Sequence, residues 1–222
     1  MSQKAIIFDH DGVMVDTEPL HSQAWIEVLN THGATPELYE SGLVHKAGIT
    51  IEANWDILKS KYNLKEDTDL LEEQRGRIYI KLLRQAKPMP GLEELLHALR
   101  GEKQGGDLKI AIGSSSNREY IEMALRNFGF ADDFDLIVSG QEVPRGKPAP
   151  DIYQKAAREL GISPGSCMVL EDTSAGVIAA KSAGMQVIAI PNDYTKGHDF
   201  SNADKVVTSL IEIDSELIYS VL

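Results

Sequence analysis

The sequence predicts an α/β protein in which a parallel β-sheet flanked by helices forms the main body and a small all-helical segment interrupts it after the first strand. Three observations carry this. Ala5-Ile6-Ile7-Phe8 is a short, apolar, β-favouring run that passes directly into Asp9-His10-Asp11-Gly12, as a buried parallel strand delivering acids to a loop would. Residues 17–87 show helical periodicity and no strand-like run. From Pro88 onward strand and helix patterns alternate, which argues for parallel strands wrapped by helices. The expected division is therefore a core of residues 1–16 and 88–222 with a helical insertion of residues 17–87.

The elements follow in order. After the first strand, Thr17 or Asp16 can cap a helix. Pro19 suits its first turn, Trp25, Val28 and Leu29 make its apolar stripe, and Gly33 stops it. A second helix carries Ile51, Trp55, Leu58 and Tyr62, and a third, over residues 67–85, carries Leu71, Ile78 and Leu82. Pro88-Met89-Pro90-Gly91 breaks the helical pattern. A helix over 92–100 follows, with Leu92, Leu95, Leu96 and Leu99 on one side, then a turn at Gln104-Gly105-Gly106. Strands are expected at 108–112, 136–138, 168–170 and 187–190, and helices at 118–128, 151–160 and 175–183.

Bulk properties narrow the function classes. With 222 residues, 42% hydrophobic and 25% charged, the chain reads as an ordinary globular protein large enough for a main domain and an insertion. A formal charge of −12 argues against a nucleic-acid partner, which would require Lys and Arg to replace counterions. No apolar run reaches the ~18 to 20 residues of a membrane helix. The N-terminus reads as strand rather than signal peptide, so the cytoplasm is the expected compartment. Cys167 stands alone in an apolar run, which excludes an internal disulfide and suits a small buried hydrophobe better than a reactive thiol.

Ligands of open α/β sheets collect outside the carboxyl ends of the strands, so the residues just after each strand are the candidates for chemistry. Asp9 can attack phosphorus directly as a carboxylate, and Asp11 can serve as general acid and then base; a helix cap or a solvated turn is the competing reading of the same pair. Ser114-Ser115-Ser116-Asn117 follows a strand and opens a helix, where hydroxyls and free amides either meet a phosphate or simply cap. Lys147 lies in the stiff stretch Gly146-Lys147-Pro148-Ala149-Pro150-Asp151. Glu171 and Asp172 end another strand. Two further acids facing an Asp-x-Asp would repel unless a cation joined them, and hard oxygen ligands suit Mg²⁺.

With these four stretches in this order, the chain resembles the haloacid dehalogenase superfamily of phosphohydrolases, in the branch that includes β-phosphoglucomutase and small sugar-phosphate phosphatases. The resemblance rests on Phe8-Asp9-His10-Asp11-Gly12-Val13, on Ser114, on Lys147-Pro148-Ala149-Pro150-Asp151 and on Glu171-Asp172, and it covers nearly the whole length. It implies a Rossmann-like core with residues 17–87 as a mobile cap. It implies phosphorylation of Asp9, and Mg²⁺ held by Asp9, the backbone carbonyl of Asp11 and Asp172, with Glu171 supporting. Ser114 and Lys147 would hold the phosphoryl oxygens, and Ser115, next to Ser114, is a further phosphate-binding candidate. Lys147 should favour the ionised state of Asp9. The expected substrate is a small phosphorylated metabolite, and a monomer is compatible with it.

The presence of Asp11 argues for phosphoryl transfer rather than the carbon–halogen or carbon–phosphorus cleavage of relatives that replace this acid. His10 departs from the apolar residue often found between the two acids and is given no role. Phosphatase and mutase compete. Thr17-Glu18-Pro19-Leu20-His21 resembles the mutase stretch in which a histidine couples cap closure to the second acid, though His21 equally suits packing at a hinge. Arg75 falls about where the mutase cap has a basic contact, though a solvated helix face would read the same. Lys46 and Thr50, in the loop before the second helix, are candidates for substrate selection. Ile51 stands about where β-phosphoglucomutase offers an arginine to the second phosphate, which favours a phosphatase. A receiver-type signalling domain also combines a phosphorylated Asp, an acidic pair, a hydroxyl and a Lys. It places the acidic pair on the first strand and the acceptor Asp later, in a shorter chain without a cap.

Overall fold

A computed structural model describes residues 3–39, 42–45 and 51–222. The chain divides into two compact units, one formed by Met1–Asp16 with Lys87–Leu222 and the other by Thr17–Ala86.

In the first unit, β1 (Lys4–Phe8), β2 (Leu108–Ser114), β3 (Leu136–Ser139), β4 (Cys167–Glu171), β5 (Gln186–Ala189) and β6 (Lys205–Val206) form a parallel sheet in the order β3-β2-β1-β4-β5-β6. β1 is therefore interior, with β2 and β4 on either side. From Ala5 to Phe8 its run is apolar because both faces are covered. Ile6 and Phe8 join Ile110, Ile112, Met168, Leu170 and Ile188 in one core. Ala5 and Ile7 join Ala111, Cys167, Val169, Val187 and Ala189 in the other. Over the first face lie α4 (Leu92–Gln104), α5 (Arg118–Phe128) and the C-terminal α8 (Ser215–Val221), which contribute the buried Leu95, Leu96, Leu99, Ile121, Leu125 and Ile218. Over the second lie α6 (Asp151–Leu160) and α7 (Ser174–Ser182), with Ile152, Tyr153, Ala156, Val177 and Ala180.

The second unit contains α1 (Glu18–Thr31), α2 (Ile51–Tyr62) and α3 (Thr68–Leu83). Its own core joins Trp25, Val28, Leu29, Trp55, Leu58 and Leu71, and the indole rings of Trp25 and Trp55 meet edge-on at 4.2 Å.

Three local readings are corrected. The fully buried positions of α3 include Leu71, Arg75, Tyr79 and Leu83. Leu71 and Ile78 pack in the unit's core as expected, but Leu82 gives way to Arg75, Tyr79 and Leu83, the buried Arg75 charge being met by the partly exposed Glu72. α4 continues past Arg100 through Gly101 to Gln104. Past β5 the chain adds β6 and α8, which periodicity did not reveal. β6 is two exposed residues, too short to alternate, and α8 is seven residues begun by Asp214, whose side chain accepts from the Leu217 N–H. No helix among the described residues is long and apolar enough to cross a membrane.

Candidate active site

The first unit gathers the strand-end residues at one edge of its sheet. Asp9 and Asp11 follow β1, Ser114 closes β2, and Glu171 closes β4 with Asp172 next. Since β2, β1 and β4 are neighbours in register, their carboxyl ends present these side chains side by side. Lys147 enters from the loop between β3 and α6.

The Lys147 ammonium lies 2.9 Å from Asp9 Oδ1 and 2.5 Å from Glu171 Oε1. Burial works against its charge, but the Asp9 and Glu171 carboxylates hold Lys147 well above the ordinary lysine range. Glu171 accepts further bonds from Tyr153 Oη (2.8 Å) on Oε1, and from the Asp172 and Thr173 N–H groups and the Thr173 hydroxyl, each 3.0 Å, on Oε2. Five donors thus occupy both oxygens of a side chain with no exposure. Burial opposes its charge, yet Lys147 and these bonds keep Glu171 below the usual carboxylate range. Asp9 behaves differently. Burial pushes it up to about 7, with Glu171 and Asp11 adding to the rise while Lys147 opposes it. The expectation that Lys147 keeps Asp9 ionised is therefore half of a balance in which desolvation and like charge prevail.

Asp172 is 4% exposed. Its Oδ2 accepts from the Asn192 side-chain amide at 2.8 Å, and its Oδ1 is buried without a protein partner. Burial raises its pKa well above the aspartate range, with Glu171 and Asp9 adding to the effect. Asp9, Glu171 and Asp172 each offer a carboxylate oxygen within 4.8 Å of the others. A buried acidic trio with one orphaned oxygen and an oxygen-only donor set fits a hard divalent cation.

Asp11 is half-buried and faces the β2 end. Its Oδ2 accepts from Ser116 Oγ (2.5 Å) and Ser114 Oγ (3.3 Å), and its Oδ1 lies 3.3 Å from His10 Nδ1. His10 is fully buried. Ser115 is exposed on the same loop. The loop is braced from β3, where Ser139 Oγ donates to the Ser116 carbonyl at 2.6 Å.

The second unit holds His21 and Arg75. Arg75 is 0% exposed, so the solvated-face reading does not hold. Its guanidinium binds Glu72 through two nitrogens (2.6 and 2.7 Å) and donates to His21 Nδ1 at 3.1 Å, while the His21 ring stacks on Tyr79 with centroids 4.1 Å apart. Lys46 and Thr50 lie outside the described residues.

Sequence reading passed over Tyr153, Thr173 and Asn192 as site residues, and saw Ser116 only as one of the hydroxyls of its stretch, without its bond to Asp11. Thr173 had a signal, a hydroxyl at the start of a helix after two acids, and it does cap α7 through Gly176 N–H. Tyr153 and Asn192 had none, being an aromatic on a core helix and an Asn in a turn.

A model of the haloacid dehalogenase-like hydrolases matches residues 6–190. A phosphorylated carbohydrates phosphatase of Thermotoga maritima is 34% identical over 190 residues, covering 83% of each chain. The beta-phosphoglucomutase of Bacillus subtilis is 32% identical over 225 residues, covering 97% of this chain and 94% of its own. The crystal structure of CbbY from Rhodobacter sphaeroides in complex with phosphate is similar with a TM-score of 0.78 and 25% identity, covering 95% of this chain and 96% of that one.

Proposed function

The chain belongs to the haloacid dehalogenase-like hydrolases, and we propose that it is a phosphatase that hydrolyses a small phosphorylated metabolite, a sugar, polyol or related phosphate monoester, through a phosphoryl group carried on Asp9. The observation that supports this most is the buried Lys147 ammonium between Asp9 and Glu171. A carboxylate attacking a phosphate dianion needs fixed positive charge beside the transferred group.

In this reading Asp9 attacks phosphorus, the bond from phosphorus to the alcohol oxygen breaks, and Asp11 gives that oxygen its proton. Water then attacks the phosphorus of the acyl phosphate, Asp11 takes the proton, and phosphate leaves with Asp9 restored. Lys147, Ser114 and Ser115 hold the phosphoryl oxygens, Ser114 turning its hydroxyl from Asp11 to do so. Asp9, the Asp11 carbonyl and Asp172 would hold Mg²⁺, with Glu171, its oxygens already taken by five donors, supporting from outside. When bound, Mg²⁺ supplies charge neutralisation for the phosphoryl group in transfer. The unit Thr17–Ala86 acts as the cap that selects substrate, with His21, Lys46, Thr50 and Arg75 as its candidate residues.

Phosphate release over a panel of phosphorylated metabolites tests this. Turnover of at least one sugar or polyol phosphate, abolished by excess EDTA and restored by Mg²⁺, is the expected result. Full activity in metal-free buffer, or release from no member of the panel, overturns it. A mutase is the second reading, favoured by the 32% identity to beta-phosphoglucomutase and by the mutase-like stretch from Thr17 to His21.

A further inference from the structure

Asp172 is gripped on one side only. Asn192 Nδ2 donates to Oδ2 at 2.8 Å, and Gly12 closes on the same edge: its backbone has φ of +78°, and a Cβ there would overlap Asp172 Oδ2 and come within 2.8 Å of Asn192 Nδ2. Asn192 is itself held by its loop. Its Oδ1 accepts from the N–H groups of Tyr194 (2.9 Å) and Thr195 (3.2 Å), and its own N–H donates to Thr195 Oγ1 at 3.0 Å. These bonds consume the amide oxygen and turn the NH₂ group towards Asp172. The other carboxylate oxygen, Oδ1, is the buried atom left without a protein partner.

We infer that Asn192 is a positioning residue that makes Asp172 a one-oxygen ligand, through Oδ1, and thereby sets the preference of the site for Mg²⁺ over Ca²⁺. The inference rests on the metal-dependent reading of this site. Mg²⁺ demands a near-octahedral shell of single oxygens and keeps several waters, whereas Ca²⁺ accepts more ligands and readily takes a carboxylate through both oxygens. With Oδ2 bonded to Asn192 and flanked closely by Gly12, two-oxygen binding by Asp172 would break a buried hydrogen bond. Without the amide the carboxylate can rotate and offer both oxygens, which penalises Mg²⁺ and spares Ca²⁺. Groups that orient a metal-ligating side chain from behind typically change metal affinity by about 10–100-fold when removed.

The test is calorimetric titration of the full chain with MgCl₂ and with CaCl₂, without substrate, alongside thermal melting of the metal-free proteins. Asn192→Leu removes every polar atom at similar volume. Asn192→Ser keeps a short side-chain oxygen that can accept from the loop N–H groups but cannot reach Asp172, so it separates loop folding from carboxylate orientation. In both variants Mg²⁺ affinity should fall about 10–100-fold while Ca²⁺ affinity changes less than about threefold. Unchanged Mg²⁺ affinity in Asn192→Ser, or an equal loss for both ions, overturns the inference while leaving the metal-dependent reading standing. A wild-type chain that binds no Mg²⁺ sinks both together.

Discussion

Asp9 combines two properties that pull its substitution in opposite directions. As the proposed nucleophile it cannot be replaced by an amide, which does not form the acyl phosphate. As a buried carboxylate pushed up to about 7, it costs the fold something to keep charged. Asp9→Asn should therefore lower phosphate release by at least about 10³-fold while leaving the thermal midpoint equal or higher, because the amide oxygen can still accept from Lys147. Multiple turnover by a contamination-free variant would move the nucleophile elsewhere. Cys167 gives a second residue-scale outcome. Burial pushes its thiol up to about 11, so the reactive thiolate is scarce in the native chain near neutral pH and becomes more abundant as pH rises. A thiol reagent at pH 8 should label the native protein slower than the denatured chain by roughly 10²-fold; comparable rates would place the thiol at the surface. At this scale the strand-end acids and Lys147 were legible, because each stands in a short stretch whose neighbours announce a strand end or a stiff loop. Tyr153 and Asn192 were not, since each meets its partner acid across the fold, 18 and 20 residues away, and their own neighbourhoods are those of any core helix or turn.

Among the elements, the loop joining β2 to α5 depends on a neighbour that carries no chemistry. Gly140, just past β3, packs against the backbone of Ser115, where a Cβ would approach the carbonyl oxygen to 2.8 Å and Cα to 3.0 Å. Backbone cannot swing aside as a side-chain tip can, so Gly140→Ala should displace the Ser114–Ser116 stretch. The expected result is a rise in KM for the phosphorylated substrate of about tenfold, the scale of one or two lost hydrogen bonds to a charged group, with a stability loss of about 1–3 kcal/mol. Steady-state kinetics and melting separate the two, and an unchanged KM would show that this loop does not hold the phosphate. The strands β1 to β5 were legible as elements because burial makes them largely apolar runs, whereas the two exposed residues of β6 were not. The stripe of α3 was read incompletely because Arg75 counts as polar in any pattern, and its partners Glu72, one turn away, and His21 make it a core residue. The buried Arg75, bonded to the partly exposed Glu72 and to His21, shows the second unit using charge where periodicity expects hydrocarbon.

At the scale of the whole molecule, phosphatase and mutase differ in what happens to the phosphoryl group after it reaches Asp9. A phosphatase admits one water for the second step; a mutase keeps water out until a reoriented sugar phosphate takes the group back. Either demands that a cap exclude bulk water during transfer, so, with the second unit as the proposed cap, the distinction lies in whether that unit can retain a bisphosphate. Ile51, the first residue of α2, presents an exposed apolar side chain, about where the resemblance leads one to expect the arginine of β-phosphoglucomutase. The Arg75 guanidinium is already committed to Glu72 and His21. A chain with net charge −12 has little diffuse attraction for a second phosphate to make up the difference. Water should therefore win. With a hexose monophosphate that the enzyme accepts, the main product followed by phosphorus NMR should be free phosphate, even when hexose 1,6-bisphosphate is added. Bisphosphate-stimulated interconversion of β-glucose 1-phosphate and glucose 6-phosphate, with little free phosphate, would establish the mutase instead. It would also mean that the second phosphate is held by side chains other than Ile51 and Arg75.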